Sequence, residues 1–306
     1  MRGRRDKVNS SFNIMTFDGG GLRGALSATI LARIQGKFPN ILNNVNMFGG
    51  TSTGSLIALG LAYGVSPLEI KELYSIENSR YIFNKEHSEL IRPKYNNKNL
   101  KEVLLSIFPE RLRLKDLGRL VVVPTFYIGN ETSTWKPIFY NNIPGSETEN
   151  ERVVDVAMSS SAAPVIFPTY NYHIDGGIIA TDPSLACIIH SIDKEICKET
   201  SDMRLLSIGT GYVYNSIKED TTDWGAIDWI TNKKPSLPII AVTLEGNCQM
   251  SQLFSQKLLE DNYYRVNPKM SRDIAMDDYE AIEYLVSLGE SCDISDTVRW
   301  LGERWD

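Results

Sequence analysis

The chain has 306 residues, with 32 Lys+Arg against 38 Asp+Glu, a formal charge of −6. That length leaves room for one large domain with a core of its own, and the acidic balance argues against a nucleic-acid binder. Cys187, Cys197, Cys248 and Cys292 have neither metal-ligand spacing nor the density of a disulfide framework, which points to a reducing cytoplasm. No run of about 18 apolar residues spans a bilayer, and the basic start, residues 1–11, reads as a tail rather than a signal peptide or anchor.

Phe12 to Phe17 reads as a buried strand that stops at Asp18-Gly19-Gly20-Gly21. Leu22, Ala25, Leu26, Thr29, Ile30 and Ile34 then recur at helical spacing, ended by Gly36 and Pro39. Val45 to Phe48 is a short apolar run cut by Gly49-Gly50, and a helix is expected from Thr53 to about Tyr63. Ser66-Pro67 predicts another helix start, with Ser66 as cap and Pro67 in the first turn. Leu120 to Tyr127 is the clearest strand, with further runs at Trp135–Tyr140, Tyr170–Ile174 and Leu205–Ile208. Strands alternating with helices imply an α/β layered fold with a largely parallel sheet. The division expected is a main domain over residues 12–270 and an acidic C-terminal extension over 271–306.

Charge is unevenly spread. Residues 80–115 hold nine Lys/Arg against four Asp/Glu, and residues 271–306 hold three Arg against ten Asp/Glu. Such runs usually form solvated faces. The basic one also carries Tyr81, Ile82, Phe83, Leu90 and Ile91, and is expected to cap the site or to meet anionic headgroups. Trp224, Ile227, Trp229 and Ile230 suit a membrane boundary, although a helix packed on the sheet is the simpler expectation.

Gly19-Gly20-Gly21-Leu22-Arg23-Gly24 fits the dinucleotide fingerprint. That fingerprint needs an acid about 20 residues on, yet no acid occurs between Asp18 and Glu69. The same backbone N–H groups at a helix start would serve the oxyanion of acyl transfer. Gly50-Thr51-Ser52-Thr53-Gly54 is G-x-S-x-G between an apolar run and a helix, the setting of a nucleophile elbow. A serine nucleophile needs a base. His87 lies among charges, His190 lies in an apolar helical stretch, and His173 reads as a strand residue two positions from Asp175. Asp175-Gly176-Gly177 remains: a carboxylate at a strand end with little bulk beside it can accept a serine proton.

Together these stretches resemble the patatin-like phospholipases. Ser159-Ser160-Ser161-Ala162-Ala163-Pro164, Thr181-Asp182-Pro183 and Ser207-Ile208-Gly209-Thr210-Gly211 add to the likeness, which runs from about Phe12 to about Pro268. Asp182 departs from the asparagine common there. The resemblance implies a three-layer α/β/α fold with a mostly parallel sheet and a nucleophile elbow. It implies a Ser52–Asp175 dyad without histidine, and an oxyanion hole from Gly20, Gly21 and Thr53 steadied by Arg23. Gly19, Gly24, Gly50, Gly54, Gly176 and Gly177 support that site. The implied activity is calcium-independent hydrolysis of phospholipid acyl esters, with no cofactor or metal and no nucleic-acid partner, by a cytoplasmic enzyme working peripherally at the bilayer. An acyltransferase or non-lipid esterase on the same dyad stays open. So do a nucleotide-activated effector role and a homo-oligomeric state.

Overall fold

The computed structural model describes residues 11–85, 92–232, 235 and 237–305. His87, Leu90, Ile91 and the tail up to residue 10 lie outside the described residues. In chain order the elements are β1 (Phe12–Phe17), α1 (Gly24–Lys37), β2 (Val45–Gly50), α2 (Thr53–Tyr63), α3 (Pro67–Leu73), α4 (Ile76–Ile82), α5 (Lys98–Ile107), β3 (Leu120–Tyr127), β4 (Lys136–Asn141) and α6 (Val153–Ser160). Then follow β5 (His173–Asp175), α7 (Gly177–Ala180), α8 (Ser184–Asp193), β6 (Met203–Ile208), α9 (Ala226–Thr231), α10 (Pro238–Leu259), β7 (Tyr263–Val266), α11 (Ile282–Ser291) and α12 (Ser295–Arg304).

The strands form one sheet in the order β4-β3-β2-β1-β6-β7, with β5 also on β3. The pairs β3–β2, β2–β1, β1–β6 and β6–β7 are parallel; β4 and β5 run antiparallel to β3. Both faces are covered, as a parallel sheet requires. Met15, Phe17, Val121 and Val123 enter the larger core with α1 and α2, while Ile14, Val122 and Leu205 enter a second core with Cys187 and Ile188 of α8. That alternation along each strand makes three layers, helices on both sides of the sheet.

β2 does not stop before Gly49-Gly50, as the glycines suggest. Gly49 and Gly50 stay in register with Thr16 and Phe17 of β1, so the ladder carries the strand through. The run at 170–174 gives only the three residues of β5, because Asn171 and Tyr172 adopt left-handed backbone angles (φ 47° and 61°). Nor does the helix near Trp229 pack on the sheet: α9 has no buried residue. β7 has no counterpart among the expected strands.

The break at residue 271 is one of charge, not of packing. Ala281, Leu285, Ile294, Trp300, Leu301 and Trp305 bury in the same core as α1 and β1. Arg33 of α1 donates to the carbonyls of Gly289 (2.7 Å) and Cys292 (2.8 Å), and Asn13 donates to the Trp305 carbonyl (2.8 Å). Among the described residues no helix is long and apolar enough to cross a membrane.

Candidate active site

Sheet geometry brings Ser52 and Asp175 together. β2 pairs with β3 only up to Val122, but β3 runs on to Tyr127. Its overhanging residues 125–127 are paired by β5 on the edge that β2 has left, since β4 holds the other edge. β5 runs back toward the end of β2 and stops at Asp175, opposite Thr125. The turn after β2 carries Ser52. A short antiparallel strand therefore delivers the acid to the serine across 123 residues of chain.

Ser52 sits between β2 and α2 with φ 52° and ψ −123°. A non-glycine residue held there costs about 1–3 kcal/mol and signals a functional turn. The flanking glycines make it feasible: a side chain on Gly50 would overlap the Gly54 carbonyl, and one on Gly54 would overlap the Phe17 carbonyl. Ser52 lies at the N-terminus of α2, where the helix favours negative charge. Its hydroxyl lies near enough to the Asp175 carboxylate to favour the ionised form, and that carboxylate accepts the Gly177 N–H at 2.7 Å. Burial pushes Asp175 up to about 6, and the neighbouring Ser52 hydroxyl and the Gly177 N–H restrain the rise.

The glycine loop faces this pair. Gly21 has φ 59°, and a Cβ there would overlap the Met276 carbonyl. Leu22 N–H donates to that carbonyl (2.7 Å), and the Gly19 N–H to Thr181 O (2.9 Å). The N–H groups of Gly20, Gly21 and Thr53 donate to no protein acceptor among the described residues. Arg23 Nε donates to the Gly20 carbonyl at 3.4 Å. Gly24 admits the hydroxyl pair of Thr53 and Tyr74 (2.6 Å) against the loop.

Ser52 opens onto an apolar cavity that runs along α2. Leu56 and Gly60 continue from Ser52 at steps of four residues, and Leu22, Leu104, Phe108 and Phe167 close it. The segment 80–115 supplies much of this wall through Ile82, Phe83 and α5, so it does lie beside Ser52. Two of its cations face the protein: Lys94 pairs with Asp277, and Lys101 lies over the Tyr170 ring.

Neither described histidine reaches the serine. His173 is buried between Tyr140 OH (3.2 Å) and the Asn171 carbonyl (2.7 Å), and burial lowers its pKa. His190 binds the Ala186 carbonyl and stacks on Phe139. Among the described residues no group of three or more His, Cys, Asp or Glu could hold a metal ion.

Three supporting groups escape sequence reasoning. Ser160 accepts the Ser52 N–H (3.0 Å), donates to the Pro124 carbonyl (2.7 Å), and receives the Gly176 N–H on its own carbonyl (3.2 Å). It ties nucleophile turn to acid; the triple-serine run was its only signal. Asn247 of α10 clasps Gly177 O (2.7 Å) and Thr181 N–H (2.8 Å). Arg265 at the end of β7 is ion-paired with Asp18 and with Asp182 (3.4 Å), and donates to Ser207 Oγ (2.6 Å). Burial pushes Asp18 up to about 6 against the pull of Arg265. The departure at Asp182 thus has a partner: its extra negative charge is met by Arg265.

The family model of the patatin-like phospholipases matches residues 15–188, more than half of the chain. The chain belongs to that family. It is 29% identical to protein Teg of Priestia megaterium over 97% of this chain and 100% of that one. It is 28% identical to CotR of Bacillus subtilis over 97% and 99%. A cGAMP-activated phospholipase of Vibrio cholerae is 28% identical over 67% of this chain and 66% of its own. Membership makes this patatin-like chain a lipid acyl hydrolase by family.

Proposed function

We propose that this protein is a serine phospholipase of the A or lysophospholipase type, with Ser52 as nucleophile and Asp175 as its proton acceptor. The observation that carries the reading is Ser52, set on a positive-φ turn at the mouth of an apolar cavity, with the buried Asp175 carboxylate beside its hydroxyl. The cavity takes the acyl chain, which sets the ester carbonyl over Ser52 Oγ. As Oγ attacks, Asp175 takes its proton, and the carbonyl oxygen becomes an oxyanion. The open N–H groups of Gly20, Gly21 and Thr53 receive that charge; each such donor typically contributes about 2.7–4 kcal/mol in the transition state. Asp175 returns the proton to the leaving lysolipid oxygen. Water, deprotonated by Asp175, then attacks the acyl carbonyl, the fatty acid leaves, and Asp175 returns that proton to Ser52 Oγ. An acid near pKa 6 is well placed for both transfers at neutral pH.

The apolar lining favours a long acyl chain over a polar ester and so supports a lipid substrate over a non-lipid one. Acyl transfer to an alcohol other than water would use the same acyl-serine. Hydrolysis calls for no calcium, and a chelator is expected to leave the rate unchanged. The nucleotide-activated reading has as support only the name of the Vibrio relative. A serine-reactive fluorophosphonate tests the nucleophile: the adduct maps by peptide mass to Ser52 and is lost in Ser52→Ala. An adduct on another serine would overturn the assignment.

A further inference from the structure

We propose that Asp277 is a positioning residue that pins residues 275–278 against the glycine loop and so fixes the loop's free N–H groups toward Ser52, a role that rests on the catalytic reading proposed above.

Consecutive glycines have little conformational preference of their own, so the shape of this loop is set by what surrounds it. Its start is tied to the strand ends. The Gly19 N–H goes to Thr181 O, and Thr210 Oγ1 donates to the Gly19 carbonyl (3.2 Å). Beyond Gly21 the backbone is tied by the Met276 carbonyl. That oxygen takes the Leu22 N–H and lies so close that Gly21 has no room for a Cβ. The two acceptors occupy Gly19 and Leu22, and they leave the N–H groups of Gly20 and Gly21 between them. Withdrawal of the Met276 carbonyl would free the Leu22 N–H and let the glycine peptides turn away from the serine.

Asp277 is what seats that carbonyl. Ile274 and Ala281 bury in the main core on either side of the strap. Between them the Asp277 carboxylate reaches the cavity wall, where it accepts from Lys94 Nζ and from Tyr95 Oη (2.8 Å). Its side chain is 11% exposed, so this junction is shielded from water. Tyr95 is itself held firmly. Its N–H donates to the Ile166 carbonyl (3.0 Å), and its ring packs edge-to-face on Phe83 with centroids 5.2 Å apart. Phe83, Ile166 and Met276 all line the cavity. One carboxylate thus joins the acyl wall to the oxyanion loop. The strap lies outside residues 15–188, which the family model matches, and it gives the acidic extension a part in the site.

The Leu22 bond joins backbone to backbone, so the substitutions fall on its anchor. The assay is hydrolysis of a soluble short-chain ester, with kcat counted per fluorophosphonate-reactive site so that unfolded protein does not enter. The fluorophosphonate is also the second probe, because its phosphoryl oxygen takes the oxyanion position as Ser52 reacts. Loss of one oxyanion donor typically lowers kcat by about 10²–10³, and loosening two of them should show a good part of that. We expect Asp277→Ala to lower kcat at least tenfold, to change KM less than threefold, and to slow the fluorophosphonate reaction in parallel. Tyr95→Phe removes one hydroxyl and keeps the ring packed; it is expected to lower kcat at least twofold with the same constancy of KM, and it decides the matter alone if Asp277→Ala does not fold. An unchanged kcat would overturn the proposal. So would a raised KM for long-chain esters with short-chain kcat intact, which would make the strap a cavity wall and nothing more. The wild-type adduct separates the two ways of failing. An adduct away from Ser52 overturns the catalytic reading and this role with it. An adduct on Ser52 that forms at the wild-type rate in Asp277→Ala overturns the positioning role and leaves the nucleophile standing.

Discussion

Replacing Asp175 by asparagine is expected to abolish turnover and to stabilise the fold. The carboxyl is buried, and desolvation raises it from 3.8 to about 6. A raised carboxylate pKa means that the folded state holds the proton more tightly than the unfolded chain. Below pH 3.8 both states are protonated and the site costs nothing. As pH rises from 3.8 through 6 stability falls, and above 6 the loss is complete. About two units correspond to about 3 kcal/mol. Asparagine carries no charge and can still accept the Gly177 N–H, so it escapes this loss. For a chain of this size the gain converts to a melting shift of roughly 5 °C. Calorimetry of both proteins from pH 4 to pH 8 is the assay. The variant should melt close to wild type at pH 4 and well above it at pH 8, with no detectable ester hydrolysis. A variant that melts below wild type at pH 8, or a difference that does not vary with pH, would refute the reasoning.

The same carboxylate sets the acid limb of activity: kcat/KM should fall tenfold per pH unit below about 6, because protonated Asp175 cannot accept the serine proton. A rate flat from pH 7 to pH 5 would contradict this. Gly60→Leu fills the far part of the cavity, its Cβ already pressing on Ile70 Cδ1 at 3.3 Å; it should lower kcat/KM for long-chain esters at least tenfold while sparing short ones. Arg265→Met leaves Asp18 and Asp182 buried without their cation. It should cost about 3–5 kcal/mol, read as a lower denaturant midpoint.

Much of the site was legible because its chemistry is local. The turn at Ser52 declares itself through the glycines on either side and the helix that follows, and α2 and β3 take the boundaries that their apolar runs predict. Asp175 was legible as the partner of Ser52 only through the family likeness and the lack of a suitable histidine: its approach depends on β3 outrunning β2, a length mismatch that no local pattern encodes. Arg265 pairs with an acid 247 positions away and looks in sequence like any strand-end cation. The acidic run after 271 misled for a related reason. Its charges face outward or pair with Lys71 and Lys94, while Leu285, Trp300 and Leu301 between them bury in the main core. At α9 the expected packing failed: the helix buries none of its residues.

Mass-spectrometric measurement of fatty acid and lysophospholipid released from phosphatidylcholine, with wild type beside Ser52→Ala, tests the central claim most directly. The account predicts both products from wild type and neither above background from Ser52→Ala. Release by Ser52→Ala at the wild-type rate would contradict it.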